Sequence, residues 1–331
     1  MFTELQLVNW RGHEDTRVPL SPFTVLVGGN GVGKSSVIEA MADLSRAQGR
    51  PCVSDGRAWN SVVRRGSTVA SATFRSAMQT AAIERIDDDE SPRLRVALDP
   101  EWCRGVELSL SPKRIASPSP VSKTQPDFDG FGTASTLAHL KLNHLERFNR
   151  VLARTRKIVP LVRDFGLTVA AVEEEVNRRP NQLGGYDRST RRADGYVLDV
   201  SFEGAPRIPA EAVSEGTLLA IGALTAIEAY DDVRTLLIDD LDRALHIEAQ
   251  AQLVAILREI QKDHPELQIV ATTHSPLVVE HFTDDEVVVF GRNSEGKVIA
   301  RRLSEHPKRA KVRSLNAGEF WVAELEHWVG A

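Results

Sequence analysis

The chain has 331 residues, of which 42% are hydrophobic, and it carries a formal net charge of −5 with a pI near 6.0. A chain of this length can bury a substantial core, in one large domain or in two lobes. The acidic balance excludes a global basic field that attracts nucleic acid, so any DNA contact has to be a local patch.

Cysteine content and hydropathy exclude several further classes of protein. Cys52 and Cys103 are far apart and form no C-x-x-C pair, which argues against a disulfide framework and against a zinc site. The first residues lack the basic start and apolar run of a signal peptide, and no apolar stretch approaches the length of a membrane span. We therefore expect a cytoplasmic protein without a membrane partner.

The first elements of the chain predict a phosphate-binding loop. Thr3–Val8 and Arg17–Leu20 have strand patterns, and Phe23–Val27 indicates a short buried strand. The next nine residues, Gly28–Ser36, read GGNGVGKSS and match the pattern G-x-x-x-x-G-K-[ST]. Apolar residues then recur at helical spacing, at Val37, Ile38, Met41 and Leu44.

A strand, a glycine loop and a helix N-terminus together point backbone N–H groups and a helix dipole at a phosphate. The glycines let the backbone wrap closely, because they have no Cβ to clash. In this geometry Lys34 is expected on the β- and γ-phosphates and the Ser35 hydroxyl on Mg²⁺. The sequence therefore predicts a protein that binds a nucleoside triphosphate.

The central part of the chain changes character. Ser109–Thr133 contains several prolines and serines and few large apolar residues, so we expect it to be exposed or disordered. Apolar residues then repeat at helical spacing from Leu137 to Leu152, and a second helix is predicted over Thr168–Arg178. These helices form an insertion that is too short for a long coiled coil.

From about Gly195 the pattern returns to strands that alternate with helices. The predicted strands are Tyr196–Phe202, Thr235–Ile238 and Leu267–Ala271, the predicted helices are Thr217–Ala229 and Ile247–Lys262, and a closing hairpin is predicted over Glu286–Phe290 and Lys297–Leu303. Such alternation predicts an α/β fold whose mainly parallel sheet binds its ligand at the carboxyl ends of the strands. We divide the chain into an N-terminal lobe with the phosphate loop (1–104), a Ser/Pro-rich loop and helical insertion (105–195), and a C-terminal lobe (196–331).

Three further motifs carry candidate chemistry. Leu236–Asp240 is an apolar strand that ends in two carboxylates, the Walker B arrangement, in which Asp239 holds Mg²⁺ through water and Asp240 faces the attacking water. The alternative is a strand end stopped by two solvated aspartates. His274 follows a buried strand and can reach the γ-phosphate or the attacking water, although a lone histidine is more often structural. Ser214 and the helix start after it form an anion site, or Ser214 is simply the N-cap of that helix.

The order of these motifs resembles one branch of the P-loop ATPases. GxNGxGKS, an insertion, Ser-Glu-Gly-Thr, an apolar strand with two aspartates and Thr-His-Ser-Pro, in this order, are similar to the ABC-type ATPases of the SMC, RecF and OLD-like branch. Leu5–Gly12 resembles the opening L-x-N-F-(R/K) strand of that branch, and Leu241–His246 stands where the branch has a D-loop-like stretch. The resemblance covers both ends of the chain and leaves about 105–195 unmatched. It implies a P-loop NTPase fold, an ABC ATPase head with an N-terminal β-rich lobe, a mainly parallel central sheet and a helical insertion.

The resemblance also implies a nucleotide site, with ATP and Mg²⁺ as cofactors. It gives catalytic roles to Asp240, His274 and Lys34, and it places the metal on Ser35 and Asp239. The residues that it implies in nucleotide binding are Arg11, Asn30, Gly31, Gly33, Lys34, Ser35, Ser36, Ser214 and Gly216.

A head-to-tail dimer, or a higher oligomer, follows from the same resemblance. The site of ATP on the phosphate loop of one subunit is completed by the signature serine, Ser214, of the other, so that γ-phosphate binding drives closure.

The sequence departs from the pattern of this branch in two respects. The position after the Walker B acid is usually Glu, and the shorter Asp240 is expected to hold the water poorly and to make turnover slow or partner-dependent. No glutamine can be assigned to the Q-loop, since Gln48 is only a weak candidate.

Features that the sequence lacks narrow the possible functions of the predicted ATPase. Without a long coiled coil or a zinc hook the chain does not fit a chromosome-tethering SMC protein, and after the ATPase core there is no room for the nuclease domain of full OLD proteins. The leading hypothesis is a compact ATPase of prokaryotic anti-phage defence that senses or scaffolds for a separately encoded effector. The alternatives are a RecF-like DNA-repair ATPase that clamps duplex DNA and a non-hydrolysing ATP-gated scaffold.

Two basic segments are candidate DNA contacts, although a charge run is more often a solvated face. One is a predicted loop with Arg178, Arg179, Arg188, Arg191 and Arg192, and the other is the run Lys308–Arg313.

The tail places Trp321, Leu325 and Trp328 on one helical face. It is predicted to be a helix docked on its own core, with a partner-binding helix as the alternative.

Overall fold

The computed structural model describes residues 1–46, 69–76, 80–86, 93–97, 105–180, 186–231, 233–312, 314–324 and 327–330. These residues form two compact units. The first comprises Met1–Glu107, Asp232–Asp242 and Leu257–Ala331, and the second comprises Leu108–Asp231 and Arg243–Ile256. The predicted three-part division of the chain stays a prediction.

The strands and helices are numbered in chain order. The strands are β1 (Phe2–Trp10), β2 (His13–Pro19), β3 (Phe23–Gly28), β4 (Val69–Ser76), β5 (Thr80–Ile86), β6 (Arg93–Ala97), β7 (Gly105–Leu108), β8 (Ser119–Pro120), β9 (Val162–Pro180), β10 (Tyr186–Phe202), β11 (Ile208–Pro209), β12 (Thr235–Ile238), β13 (Gln268–Thr272), β14 (Val287–Arg292) and β15 (Val298–Arg302). The helices are α1 (Lys34–Arg46), α2 (Pro112–Ala116), α3 (Thr133–Asn143), α4 (Leu145–Ile158), α5 (Glu215–Ala229), α6 (Ile247–Asp263), α7 (Pro276–Val279) and α8 (Ala317–Glu324). Short 3₁₀ turns cover Ala210–Ala212, Leu303–Glu305 and His327–Gly330.

The first unit contains a six-stranded sheet that positions the site. Its order is β15-β14-β3-β13-β12-β7, and β14, β3, β13 and β12 run parallel to one another. Every residue of β3, β12 and β13 is buried, as expected for central strands of a parallel sheet. Parallel strands end at a common edge, so the residues that follow Gly28, Ile238 and Thr272 are brought to one side of the sheet.

A five-stranded antiparallel sheet, β2-β1-β4-β5-β6, completes the β-rich part of this unit. Alternate residues of β1 are buried, among them Leu5 and Leu7, because one face of the sheet covers a core shared with α1. The predicted strands, the hairpin of β14 and β15 and the helices α5 and α6 are confirmed, most of them within a few residues. The predicted strand Tyr196–Phe202 is only the second part of β10, which begins at Tyr186. The α/β P-loop head fold is thereby confirmed.

The second unit joins helices to a long β-hairpin. β9 and β10 pair from Val162↔Phe202 to Pro180↔Tyr186, and β10 also pairs with β8 and β11. Helix α4 packs on α5, where the buried carboxylate of Glu228 binds Arg150 at 2.8 Å and also binds Arg154. α3 and α4 confirm the first predicted helical stretch.

Two predictions for the insertion are wrong. Thr168–Arg178 is not a helix but part of β9, because its backbone hydrogen bonds come from β10, the other strand of the hairpin. Ser109–Thr133 is not disordered. It contains α2 and β8, its ends are joined by a hydrogen bond from Ser109 N to Phe128 O at 3.0 Å, and Ile115 is fully buried. Buried residues such as Ile115, Ala116 and Ser119, together with backbone hydrogen bonds, order a segment whose composition is that of a loop.

Candidate nucleotide-binding site

The phosphate-binding loop follows β3 directly, as predicted. Three of its four glycines adopt positive backbone angles, with φ of 138° at Gly28, 73° at Gly31 and 104° at Gly33. A Cβ added at Gly28 would lie 2.6 Å from the carbonyl oxygen of Phe290 on β14. The loop therefore needs glycine for its turns and for its contact with the neighbouring strand. Asn30 and Gly31 are exposed at the outer part of the loop.

Lys34 begins α1, and its side chain folds back over the loop. Its ammonium group donates to the carbonyls of Gly28 at 2.8 Å and Gly29 at 3.0 Å, and the residue is only 5% exposed. The next turn starts with Ser36 N donating to Gly33 O at 3.0 Å. These bonds hold the cation beside the helix N-terminus, where an anionic ligand is favoured.

Ser35, the other key residue of the loop, meets the carboxylate at the end of β12. Its hydroxyl donates to Asp239 Oδ1 at 3.1 Å. The hydroxyl of Thr272, the last residue of β13, donates to the same oxygen at 2.7 Å. The two predicted metal ligands, Ser35 and Asp239, are therefore neighbours. Thr272 holds Asp239 in place through its hydrogen bond.

Asp240 has a strained backbone at this edge of the sheet. Its φ is +57°, a left-handed angle that is uncommon for a residue other than glycine, and its N–H donates to Thr272 Oγ1 at 2.8 Å. Asp240 is exposed, whereas the strand before it is buried. The left-handed angle turns the chain sharply after Asp239, so the carboxylates of Asp239 and Asp240 lie in different environments.

His274 lies at the same edge, two residues beyond the end of β13. Its backbone N–H donates to Asp242 Oδ1 at 3.2 Å, and the hydroxyl of Thr273 donates to the same oxygen at 2.6 Å. His274 itself is exposed, and Ser275 accepts a hydrogen bond from Val278 N at the start of α7. The backbone of the predicted switch histidine is thus tied to the residues that follow Walker B.

Arg11 occupies the turn between β1 and β2 with φ of +50°. Its guanidinium binds Glu39 of α1 at 2.8 Å. The contact is made with the helix that follows the phosphate-binding loop. The nucleotide contact expected for Arg11 stays a prediction.

Ser214 and Gly216 belong to the second unit. Ser214 stands at the N-cap position of α5 and is exposed, but its hydroxyl lies 2.8 Å from Thr217 Oγ1 and caps no backbone N–H. A Cβ at Gly216 would overlap the carbonyl oxygen of Ala244, whose φ is +55°. Gly216 at the start of α5 therefore lies close to the backbone of Ala244. The roles of both residues in nucleotide binding stay predictions.

Several residues around the site were not identified from the sequence. They are His13, Glu39, Asp242, Thr272, Thr273 and Arg292. Two hydroxyl residues at the end of a buried strand, next to a strand with terminal carboxylates, are a signal that could have indicated Thr272 and Thr273. No local pattern indicates His13 or Arg292, because their contacts with the loop are long-range.

Some residues of the basic segments and of the tail have partners within the chain. The predicted arginine loop is wrong in part: Arg178, Arg179, Arg188, Arg191 and Arg192 lie on β9 and β10, and Arg191 binds Glu174 at 2.9 Å. Lys308 binds Glu324 at 2.9 Å and Arg309 binds Asp284 at 2.6 Å. Trp321 is 7% exposed, which confirms the docked tail at that residue. Gln48, Gly184, Arg313 and Leu325 lie outside the described residues.

Sequence comparison finds ATPase families over most of the chain. A family model described as "AAA domain, putative AbiEii toxin, Type IV TA system" matches residues 107–280, more than half of the chain. A second model, described as an AAA ATPase domain, matches residues 1–85. The Septu protein PtuA from Bacillus thuringiensis is 35% identical over 77 residues, which are 23% of this chain and only 19% of PtuA.

Similar solved structures are heads of SMC proteins. An SMC head bound to the C-terminal winged-helix domain of ScpA superposes with a TM-score of 0.57 at 16% identity, covering 94% of this chain and 99% of that one. An SMC head with an extended coiled coil, bound to the C-terminal domain of ScpA derived from Pyrococcus furiosus, has a TM-score of 0.54 at 15% identity and covers 94% and 98%. These likenesses show an SMC-head fold. None of the helices in the described ranges has the length and hydropathy that a membrane span requires.

Proposed function

Because this chain belongs to the AAA domain family that matches residues 107–280, and has the fold of an SMC/OLD-like P-loop ATPase, we propose that it binds and hydrolyses ATP and closes head-to-tail as a dimer. The dimer acts as sensor or scaffold for a separate effector protein in anti-phage defence. The local likeness to PtuA supports the defence role, although the match spans less than a fifth of that protein.

The observation that carries the ATPase proposal is the contact of Ser35 with Asp239. Their oxygens are 3.1 Å apart, and Thr272 fixes the carboxylate from behind. Two oxygens this close to each other would both be within reach of one Mg²⁺ ion or of a water bound to it. Hydroxyl and carboxylate oxygens are also the ligands that Mg²⁺ prefers, so the site fits this cofactor.

The remaining residues divide the work of hydrolysis. Ser35 and Asp239 would hold Mg²⁺, which would supply positive charge to offset that of the phosphates. Lys34 supplies a second positive charge from the loop, and the backbone N–H groups at the start of α1 supply partial charges. Asp240 is exposed beside the metal ligand and accepts the proton of the attacking water. His274 contacts the γ-phosphate.

In the proposed dimer, the second unit completes the nucleotide site of the partner subunit. Ser214 is exposed at the start of α5, with its hydroxyl beside Thr217 rather than engaged in capping. In the proposed dimer this hydroxyl and the free N–H groups of α5 bind the γ-phosphate on the partner subunit. ATP then joins two heads, and hydrolysis releases them. The SMC heads similar to this chain were solved with a bound ScpA domain, which supports a protein partner here as well.

The test is ATP turnover by the purified protein, with Lys34→Ala as the blank and with duplex DNA present or absent. We expect slow turnover that needs Mg²⁺, is lost in the blank and is indifferent to DNA. DNA-stimulated turnover would favour the RecF-like clamp instead. ATP binding without turnover would favour the non-hydrolysing scaffold. Light scattering of Asp240→Asn with ATP tests the dimer, and Ser214→Ala in the same background should remain monomeric.

A further inference from the structure

His13 lies against the phosphate-binding loop although it is distant from the loop in the chain. It begins β2 and is fully buried. Its Nε2 atom is 3.1 Å from the carbonyl oxygen of Gly33. The ring also makes an edge contact with Phe290 of β14, with centroids 6.4 Å apart at 82°. His13 therefore occupies a fixed place between the loop and the strand beside it.

The hydrogen bond determines which ring nitrogen carries the proton. A carbonyl oxygen only accepts, so Nε2 must be the donor. The other nitrogen, Nδ1, is buried without a hydrogen-bond partner among the described residues. A proton on Nδ1 would be buried and unpaired, which disfavours the charged ring. Burial lowers the pKa of His13 below 6.5, the bond to Gly33 opposes this shift, and the positive charge of Arg292 adds to it. The ring is a neutral donor.

Gly33 is shaped to receive this ring. Its φ is +104°, and a Cβ at this position would overlap Nε2 of His13. In a trans peptide the C=O and the following N–H point in opposite directions. The Gly33 carbonyl is held by His13 and by Ser36 N at 3.0 Å. The N–H of Lys34, in the same peptide, is thereby turned away from these groups.

We propose that His13 is a positioning residue of the nucleotide site, whose ring N–H fixes the Gly33–Lys34 peptide so that the Lys34 N–H faces the phosphates. The inference rests on the proposed nucleotide binding. It assigns Gly33 a second purpose, which is to make room for an imidazole as well as for a phosphate. It also makes β2 part of the nucleotide site, although no residue of β2 needs to contact the nucleotide.

Amide side chains give a matched pair of variants. The amide nitrogen of glutamine can occupy the place of Nε2, whereas the shorter asparagine reaches only the place of Nδ1. We expect His13→Gln to bind ATP within about threefold of the wild type and His13→Asn to bind about tenfold more weakly, the loss expected for one hydrogen bond. His13→Phe fills the space without a donor and should behave like His13→Asn. Fluorescent ATP titration measures binding, and a melting curve without nucleotide monitors the fold.

The outcomes separate this inference from the proposed function. If the wild type binds ATP and folded His13→Asn binds equally well, or if both amide variants are equally impaired, His13 does not act through its N–H. If the wild type binds no ATP, the proposed function fails and the positioning role fails with it. ¹⁵N NMR of the histidine rings tests the proton position in the wild-type protein itself. His13→Gln serves only to assign the His13 signals. We expect the Nε2–H form at pH 7.5, and an Nδ1–H or charged ring would overturn the proposal.

Discussion

Thr272 Oγ1 lies 2.7 Å from Asp239 Oδ1 and 2.8 Å from the N–H of Asp240, so one hydroxyl fixes both carboxylate residues at the end of β12. The hydroxyl donates to the first and accepts from the second. This arrangement couples the predicted metal ligand to the predicted base through the neighbouring strand. Thr272 is 1% exposed, so water cannot replace its hydroxyl readily.

Replacing Thr272 by valine should therefore reduce catalysis more than binding. Valine keeps the shape but removes the Thr272 donor from Asp239, which then keeps only the Ser35 hydroxyl, and loss of such supporting bonds costs roughly 10–100-fold in metal sites. We expect kcat for ATP to fall by about this factor with KM nearly unchanged. Steady-state ATPase assays measure both. Thr272→Ser, which retains the hydroxyl, is the control, and equal activity of the two variants would contradict the role.

Changing Asp240 to asparagine should separate binding from turnover. Asparagine tolerates the left-handed angle at this position, so the fold is expected to persist. It cannot accept the proton of the attacking water, and general-base loss typically costs 10²–10⁴-fold. We expect ATP affinity within about twofold of the wild type and turnover near the Lys34→Ala blank. Turnover above a tenth of the wild-type rate would rule out Asp240 as the base.

Adding a methyl group at Gly216 should disturb the signature region alone. The new Cβ would overlap Ala244 O and push the start of α5 from the D-loop-like stretch. We expect Gly216→Ala to bind ATP as a monomer but to lose ATP-dependent dimerisation and turnover. Light scattering and fluorescent ATP titration check the two readouts. Gly12→Ala, where an added Cβ meets nothing within 4 Å, is the control and should behave as the wild type.

The pH dependence of the free energy of unfolding should report on protonation of the His306 ring. This ring is buried between Phe320 and Trp328, its Nδ1 accepts from Lys308 N at 3.1 Å, and burial lowers its pKa below 6.5, with a further decrease from Lys308 opposed by Glu324. The unfolded chain then binds the proton more readily than the folded one. Stability is therefore full above pH 6.5 and declines as the pH falls from 6.5 through the lower folded pKa.

Melting temperatures from pH 7.5 to 5 test this expectation. His306→Asn places a non-titrating acceptor near Nδ1, so the variant should melt at a lower temperature but lose less stability on acidification. His264, an exposed histidine of the same unit, gives the control variant His264→Asn. An unchanged slope in His306→Asn would show that other groups dominate the acid response.

The sequence was informative where a motif is local. Gly28–Ser35 and Leu236–Asp239 determine their own strand ends and turns, and the parallel sheet brings Ser35 and Asp239 together as expected. Prediction failed where partners are distant. β9 is a strand because β10 pairs with it, and its first half has no strict alternation that could exclude a helix. His13 and Thr272 act through long-range contacts that single residues do not reveal.

The position of β3 in its sheet has a consequence for biosynthesis. β3 carries the phosphate-binding loop and hydrogen-bonds on both sides to β13 and β14, which are made long after it. Domains tend to fold as their residues leave the ribosome, but such non-local pairing has to wait for the later strands. The nascent chain thus carries a complete loop sequence long before it has a loop that can hold a nucleotide. The folded loop is therefore a property of the finished unit, and an interrupted translation product lacks it.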